Sequence, residues 1–314
     1  MGLISVIGSL NMDMVVRVPR NPFPGETLGG NDFRLIPGGK GANQAVAASR
    51  AGAPTQMIGC IGKDSFGDIL CNSLNEAGVE VNRVRTISNV STGIAMILVE
   101  DTGENRIIIV PGANSLVSMA FVDEIWASAS QSSLILLQHE IPLETVHHII
   151  QCADREGIPI VLNASPFYPI PKGIMKIVGV LVINETEASA LSGIKIHEQE
   201  SALDAAQALH NLGPRTVIVT LGALGSVLVN SNYRLYQPGI SVKVVDTTAA
   251  GDTFVGGYVS AILDGKNVPS ALHYAAAAAT MAVTRLGAQS SIPWKNEVIK
   301  FMQNENLPTV VNIA

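Results

Sequence analysis

The sequence lacks several features that would point to particular classes of protein. Only 15% of its 314 residues are charged and the net charge is −6, whereas a nucleic-acid-binding surface would need a basic stripe. The three cysteines, Cys60, Cys71 and Cys152, are odd in number and have no CxxC spacing, which argues against a disulfide framework or a zinc site. We therefore expect reduced thiols, a cytoplasmic location and no nucleic-acid partner.

Long apolar runs are also missing. Asn11 and Asp13 interrupt the first apolar run, so we expect no cleavable signal peptide. The alanine-rich stretch at 271–283 contains His273 and is too short to cross a bilayer. We expect this stretch to be a buried helix, and we expect no membrane partner.

Several common catalytic signatures are absent. There is no GxSxG elbow and no GxGxxG, and GGKG at 38–41 departs from a Walker A motif because Gly41 follows Lys40. These glycines would let a small polar ligand approach the backbone within reach of Lys40 and Asn43; a tight turn with a solvated lysine is the alternative. We interpret His139 as a hydrogen-bonded structural residue. The other histidines show no metal-ligand spacing.

The composition and the order of patterns indicate an α/β fold. The chain is 47% hydrophobic, which suits parallel strands buried on both faces. Strand patterns at 134–138, 158–163, 179–183 and 216–221 alternate with helix patterns at 143–156 and 201–212, which predicts a doubly wound, mostly parallel sheet. Polar residues follow these strands and outline a site at one sheet edge: His139, Glu140, Asn163, Asn184, Glu187, Thr220 and Gly222.

Two separated parts of the chain have extended patterns without helices between them. The segments 14–18 and 26–36 flank a proline-rich turn, and 93–99 and 106–110 flank a second turn. We expect them to form a small sheet that covers the strand ends as a lid. The prediction is one domain over residues 1–314, with a lid from about 12–37 and 92–111.

The stretch DTTAAGDTF at 246–254 has the strongest chemical pattern. The alternating, β-branched residues 240–245 predict a strand before it, and helical spacing predicts a helix that begins near Asp252. The small residues between them leave backbone N–H groups free to bind an anion at the positive end of the helix. Asp252 would then be either a base beside a transferring phosphoryl group or an ordinary helix cap.

Three motifs together resemble the signatures of the ribokinase-like (PfkB) carbohydrate kinase family: GGKGAN at 38–43, NETE at 184–187 and DTTAAGDTF at 246–254. The resemblance extends from Ile4 to about Pro293 and implies a Rossmann-like doubly wound fold. Ala249 departs from the family pattern, because many members have glycine there. The resemblance also implies ATP as phosphoryl donor, Mg²⁺, and K⁺ as a monovalent cation activator.

The resemblance assigns roles residue by residue. Asp252 would be the general base, with the backbone N–H groups of Ala249, Ala250 and Gly251 on the phosphoryl group. The sugar would contact Asn11, Asp13, Gly39, Lys40, Asn43 and Glu140. The nucleotide and its Mg²⁺ would contact Asn184, Glu187, Thr220, Gly222 and Gly251. The K⁺ site would fall on Asp246, Thr248, Ala282, Arg285, Gly287 and Ser291.

The acceptor is the open question at this level. The resemblance implies first D-ribose, converted to D-ribose 5-phosphate, with deoxyribose, fructose or adenosine as alternatives; Asn11 discriminates, because deoxyribose-specific relatives have an apolar residue there. A catalytically silent sugar-binding regulator is a third possibility, and the intact Asp252 and its turn argue against it. The family also implies a homodimer through the lid, with contacts at 14–18 and 93–110.

Overall fold

A computed structural model describes residues 2–304 and 306–313. The strands in chain order are β1 (Ile4–Ile7), β2 (Asn11–Val18), β3 (Asp32–Gly38), β4 (Thr55–Gly62), β5 (Glu80–Ile87), β6 (Gly93–Glu100), β7 (Asn105–Val110), β8 (Leu134–Gln138), β9 (Ile160–Asn163), β10 (Val180–Asn184), β11 (Thr216–Thr220), β12 (Gly225–Asn230), β13 (Arg234–Pro238) and β14 (Val311–Asn312). The helices are α1 (Lys40–Arg50), α2 (Ser65–Glu76), α3 (Met119–Ala129), α4 (Leu143–Glu156), α5 (Lys172–Met175), α6 (Glu185–Ser192), α7 (Gln199–His210), α8 (Ala250–Leu263), α9 (Val268–Ala282) and α10 (Lys295–Asn304).

The larger sheet has the strand order β14-β13-β12-β11-β10-β9-β8-β1-β4-β5. Neighbours from β5 to β11 pair in parallel, and β12, β13 and β14 extend the sheet as antiparallel strands. The chain runs from β1 outward to β4 and β5, then returns to β8 on the other side of β1. Open α/β sheets bind ligands at such a reversal, beside the carboxyl ends of the strands.

Both faces of this sheet are buried because successive side chains alternate between two cores. Val6 and Leu136 pack with α1, α2, α8 and α9 on one face. Ile7 and Leu137 pack with α3, α4, α6 and α7 on the other face. Double-sided burial explains why these strands are almost continuously apolar in sequence.

The smaller sheet has the order β3-β2-β6-β7. β2 pairs antiparallel with β3 and parallel with β6, and β7 pairs antiparallel with β6. Alternation along β2 places Asn11 and Asp13 on one face and Met12 and Met14 on the other. Its strands match the two segments expected for a lid, except that β2 begins one residue earlier and β3 ends one residue later. The lid role and the single domain stay predictions.

The expected doubly wound α/β architecture and the small sheet are confirmed, but several elements differ from the expected patterns. Residues 240–245 form no strand: Val244 and Val245 are exposed, and the Val245 N–H donates to the Val283 carbonyl instead of to a sheet neighbour. Helix α1 begins at Lys40, directly after the glycines, and ends at Arg50. Helix α8 begins at Ala250, two residues before Asp252. Within the extended segment expected at 26–36, the strand starts only at Asp32, and it continues to Gly38.

Cys60, Cys71 and Cys152 are all free thiols. Within residues 2–304 and 306–313, no helix combines the length and the apolar character that crossing a bilayer requires. The cytoplasmic location stays a prediction.

Helices α1 and α8 approach closely at Gly256, which provides a stability test. A Cβ atom on Gly256 would lie 2.4 Å from the Ala47 Cβ and 2.7 Å from the Ala48 N, so Gly256→Ala must push α1 away and should lower the melting temperature. Gly257→Ala is the matched control, because its Cβ would meet no atom closer than 3.5 Å and alanine favours helix. Equal melting temperatures for the two variants would contradict the close packing.

Candidate active site

Asp252 is the third residue of α8 and is bound by side chains of α1. Its Oδ2 accepts a hydrogen bond from Asn43 Nδ2 at 3.0 Å, and its Oδ1 accepts one from Gln44 Nε2 at 2.9 Å. The residue before the helix is Ala249, and no side chain caps α8. The helix-cap interpretation of Asp252 is therefore wrong, and the buried carboxylate faces the residues expected to hold a sugar.

The start of α8 has backbone N–H groups without acceptors. Those of Ala249 and Gly251 donate to no acceptor within residues 2–304 and 306–313, whereas the Ala250 N–H donates to the Thr247 carbonyl at 3.2 Å. Ala249 has the left-handed conformation, with φ 59° and ψ 10°, which glycine adopts more readily than alanine. Two of the three expected amides are thus free at the positive end of the helix.

The glycines at 38–41 bring Lys40 next to Glu140. Glu140 Oε2 accepts hydrogen bonds from the Ser9 hydroxyl at 2.6 Å and the Lys40 N–H at 3.0 Å. Gly39 has φ 87°, and a Cβ on it would lie 2.7 Å from the Asn11 N. Lys40 is therefore the first residue of a helix docked on the end of β1, which excludes the tight turn with a solvated lysine.

Asn11 is oriented by a residue that the sequence analysis missed. Asn114 donates from Nδ2 to Asn11 Oδ1 at 2.7 Å, and its own Oδ1 accepts the Leu10 N–H at 2.9 Å. Asn114 lies in a short 3-10 turn after Pro111, more than a hundred residues from its partners, and no sequence pattern marks it. Gln44 was also missed, although it follows Asn43 directly.

Four carboxylates and one lysine set the electrostatics of the site. Burial and the carboxylates of Glu140 and Asp252 together raise the pKa of Asp13 to about 7, although Lys40 opposes them. Burial lowers the pKa of Lys40, but Asp252, Glu140, Glu187 and Asp13 outweigh burial and raise the net pKa. Lys40 is thus a buried cation that interacts with all four carboxylates.

The residues expected to bind the nucleotide occupy the next strand ends. Asn184 ends β10 and lies directly opposite Thr220, the last residue of β11. Asn184 Oδ1 accepts the Glu187 N–H at 2.8 Å, and Glu187 Oε2 accepts the Asn184 N–H at 3.0 Å, so the pair forms a capping box for α6. Gly222 begins a 3-10 turn just beyond β11, with φ 54°.

The residues expected to bind a monovalent cation lie in two joined segments. Asp246 Oδ1 accepts from the Thr248 N–H at 2.9 Å and from the Thr248 hydroxyl, and Oδ2 accepts the Gly287 N–H at 2.9 Å. Burial opposes ionisation of Asp246, yet these hydrogen bonds hold its pKa below the ordinary value. Ala282 and Ser291 are buried, whereas the Arg285 guanidinium pairs with Glu297 at 2.7 Å.

A second polar cluster lies away from this site, on α3 and α4. Potential ligand atoms of Asp123, His148 and Cys152 lie within 4.8 Å of one another, so the expectation that the histidines show no metal-ligand spacing is wrong for His148 and Cys152. Asp123 and Cys152 both contact the same ring nitrogen of His148, Nε2, so the imidazole cannot pass a proton from one of them to the other through its two nitrogens. Arg155 donates a hydrogen bond to Cys152 Sγ at 2.9 Å. The Arg155 guanidinium therefore already donates to one of the three potential ligand atoms.

Comparison with known proteins identifies the class of this fold and site. The model of the pfkB family of carbohydrate kinases matches residues 1–295, so the chain belongs to that family. A curated ribokinase of Haemophilus influenzae is 40% identical over 96% of this chain and 98% of its own. The expected family and kinase class are confirmed, and the catalytically silent regulator is disfavoured.

Solved structures agree with this assignment. A ribokinase of Thermotoga maritima superimposes with a TM-score of 0.88 at 40% identity, covering 97% of this chain and 100% of that chain. The structure of Arabidopsis thaliana ribokinase complexed with ribose and ATP superimposes with a TM-score of 0.90 at 34% identity, covering 96% and 99% of the two chains.

The raised pKa of Asp13 predicts a pH-dependent stability difference. Between the ordinary pKa of 3.8 and about 7, the folded protein retains a proton that the unfolded chain has lost, so wild-type stability should fall as pH rises through this range. Asp13→Asn removes this titration. The melting temperature of Asp13→Asn minus that of wild type, measured without ligands, should therefore increase from pH 4 to pH 8; a constant difference would contradict the buried, mostly protonated Asp13.

Proposed function

We propose that this protein transfers the γ-phosphoryl group of ATP to the 5-hydroxyl of D-ribose, with Asp252 as general base. The observation that carries the proposal is the buried carboxylate of Asp252, held by Asn43 beside the free N–H groups of Ala249 and Gly251. A base next to an anion-binding turn is the arrangement that phosphoryl transfer to a hydroxyl needs. The ribokinase relatives and the family membership support ribose as the sugar.

On the sugar side, the assigned residues offer complementary hydrogen-bonding groups. Asn43 Oδ1 is buried and has no partner among the described residues, so it is available to a sugar hydroxyl. Asn11 and Asp13 project from the same face of β2, the Gly39 backbone lies against Asn11, and the Lys40 N–H donates to Glu140. Asp252 would accept the proton as the sugar oxygen bonds to phosphorus and ADP departs.

On the nucleotide side, Glu187 retains an oxygen for a hydrated cation. The capping box with Asn184 uses Oε2 only, which leaves Oε1 for the water shell that Mg²⁺ keeps when bound. Thr220 and Gly222 would line the nucleotide, and Gly251 would contact the transferring phosphate. Mg²⁺ would supply charge neutralisation on the phosphate oxygens.

The acceptor is tested by measuring ADP release with ribose, 2-deoxyribose, fructose and adenosine. Asn11 is polar and is oriented by Asn114, and a site that hydrogen-bonds a hydroxyl discriminates against an analogue without it, because buried polar groups lose a partner. We expect ribose to have the highest kcat/KM. Equal values for ribose and 2-deoxyribose, or a higher value for fructose or adenosine, would favour the second candidate, a family kinase for another sugar or a nucleoside.

We also propose that K⁺ binds beside the turn, at Asp246, Thr248, Ala282, Arg285, Gly287 and Ser291, mostly through main-chain oxygens. The support is the ionised carboxylate of Asp246, which joins 246–248 to Gly287 just before α8. A cation there would hold Ala249 and Gly251 in their anion-binding conformation. Replacing Na⁺ with K⁺ at constant ionic strength should raise kcat several-fold, and an unchanged rate would contradict the site.

Finally, we propose that the small sheet is a lid and that two lids pair in a homodimer. Leu35, Met14, Met96 and Ile108 are directly opposite one another across all four strands and form an apolar row. This row lies on the face away from Asn11 and Asp13, and Ile108 is 62% exposed. Exposed apolar patches of this kind mark association surfaces.

Sedimentation at micromolar concentration tests the dimer. It should give a species of twice the 33.0 kDa chain mass, and Ile108→Asp should shift it toward the monomer. The matched control is Ile299→Asp, because Ile299 is also an exposed apolar residue but lies on α10. This variant should leave the dimer intact. A wild-type monomer would contradict the proposal.

A further inference from the structure

Three buried amide side chains form a hydrogen-bonded chain that ends on Asp252. Asn163 donates from Nδ2 to the Val182 carbonyl at 3.0 Å, and its Oδ1 accepts from Gln44 Nε2 at 2.9 Å. Gln138 donates to Gln44 Oε1 at 2.6 Å. The same Gln44 Nε2 donates to Asp252 Oδ1 at 2.9 Å, so the chain links strands β8, β9 and β10 to helix α8.

The direction of every donor in this chain is fixed by the Val182 carbonyl. A backbone carbonyl only accepts, so the amide nitrogen of Asn163 must face Val182 and its oxygen must face Gln44. Gln44 must then present its nitrogen to Asn163 and Asp252, and its oxygen to Gln138. A flipped Gln44 would point an oxygen at a carboxylate, which the network excludes.

We infer that Gln44 is a positioning residue for Asp252, an inference that rests on the proposed role of Asp252 as general base. The χ2 torsion of an aspartate is broad, so a carboxylate needs donors to fix its plane. Gln44 donates to Oδ1 and Asn43 donates to Oδ2, so the two amides together fix the plane of the buried carboxylate, and each oxygen keeps a lone pair that can accept a proton. Gln44 acts only through Asp252.

The alternative is that Gln44 merely fills a polar gap between α1, α8 and the sheet. Gln44→Met separates the two, because methionine has nearly the same length and volume and cannot donate. The matched control is Gln56→Met: Gln56 is also a buried glutamine, on β4, and it donates to the Ser5 hydroxyl at 2.6 Å without contacting this network.

The expected result is a selective loss of turnover. Gln44→Met should lower kcat by roughly 10–100-fold, part of the ~10²–10⁴-fold that base catalysis supplies, while the KM for ribose changes by less than about threefold. Gln56→Met should keep wild-type kcat with a similar change in melting temperature. Equal kcat values for the two variants would overturn the inference, as would a Gln44→Met loss found mainly in KM.

A pH profile gives a second readout, which tests whether residue 44 contacts the group that titrates during turnover. Gln44→Glu places a second carboxyl against Asp252, and two carboxyls at hydrogen-bond distance share one proton. In this variant, the fall of kcat on the acid side of its pH profile should therefore occur at higher pH than in wild type. Identical acid sides of the two pH profiles would overturn the inference. Wild-type protein that phosphorylates no acceptor would refute the proposed function itself, whereas active wild type with unaffected variants would refute the role of Gln44 alone.

Discussion

The contact between α1 and α8 is the constraint on which the site depends, because it brings together residues more than two hundred positions apart in the chain. Gly256 allows the helices to approach, and Asn43 and Gln44 on α1 then reach Asp252 on α8. The first turn of each helix lies at the same edge of the large sheet. Lys40 is therefore the first residue of one helix, and Asp252 is the third residue of the other.

This arrangement concentrates negative charge, and the protein balances it with few cations. Asp13, Glu140, Asp252 and Glu187 act on Lys40, which stays charged despite burial, while Asp13 has a pKa near neutrality. The free N–H groups at the start of α8 add positive potential without a further side chain. An anionic phosphoryl group can thus be held in a protein whose net charge is −6.

The sequence predicted the parts of the fold that local pattern determines. The strand Leu134–Gln138 and the helix Leu143–Glu156 have their predicted bounds, because apolar runs and helical spacing are local properties. Strand β5 was missed because it is polar and largely exposed at the sheet edge, and 240–245 was predicted as a strand because β-branched alternation does not reveal a missing neighbour. The roles of Asn114 and Gln44 depend on contacts across the chain, which no single-sequence pattern contains.

The central claim is that Asp252 accepts the proton of the sugar hydroxyl, and Asp252→Asn tests it most directly. The amide has the same shape but cannot take the proton, so kcat should fall by roughly 10²-fold or more. Both oxygens of Asp252 accept from amide donors, so some loss of melting temperature is also expected, and kcat is measured below the melting transition of the variant. Ribose binding by calorimetry should persist. A folded variant that keeps more than about a tenth of wild-type kcat would contradict the account.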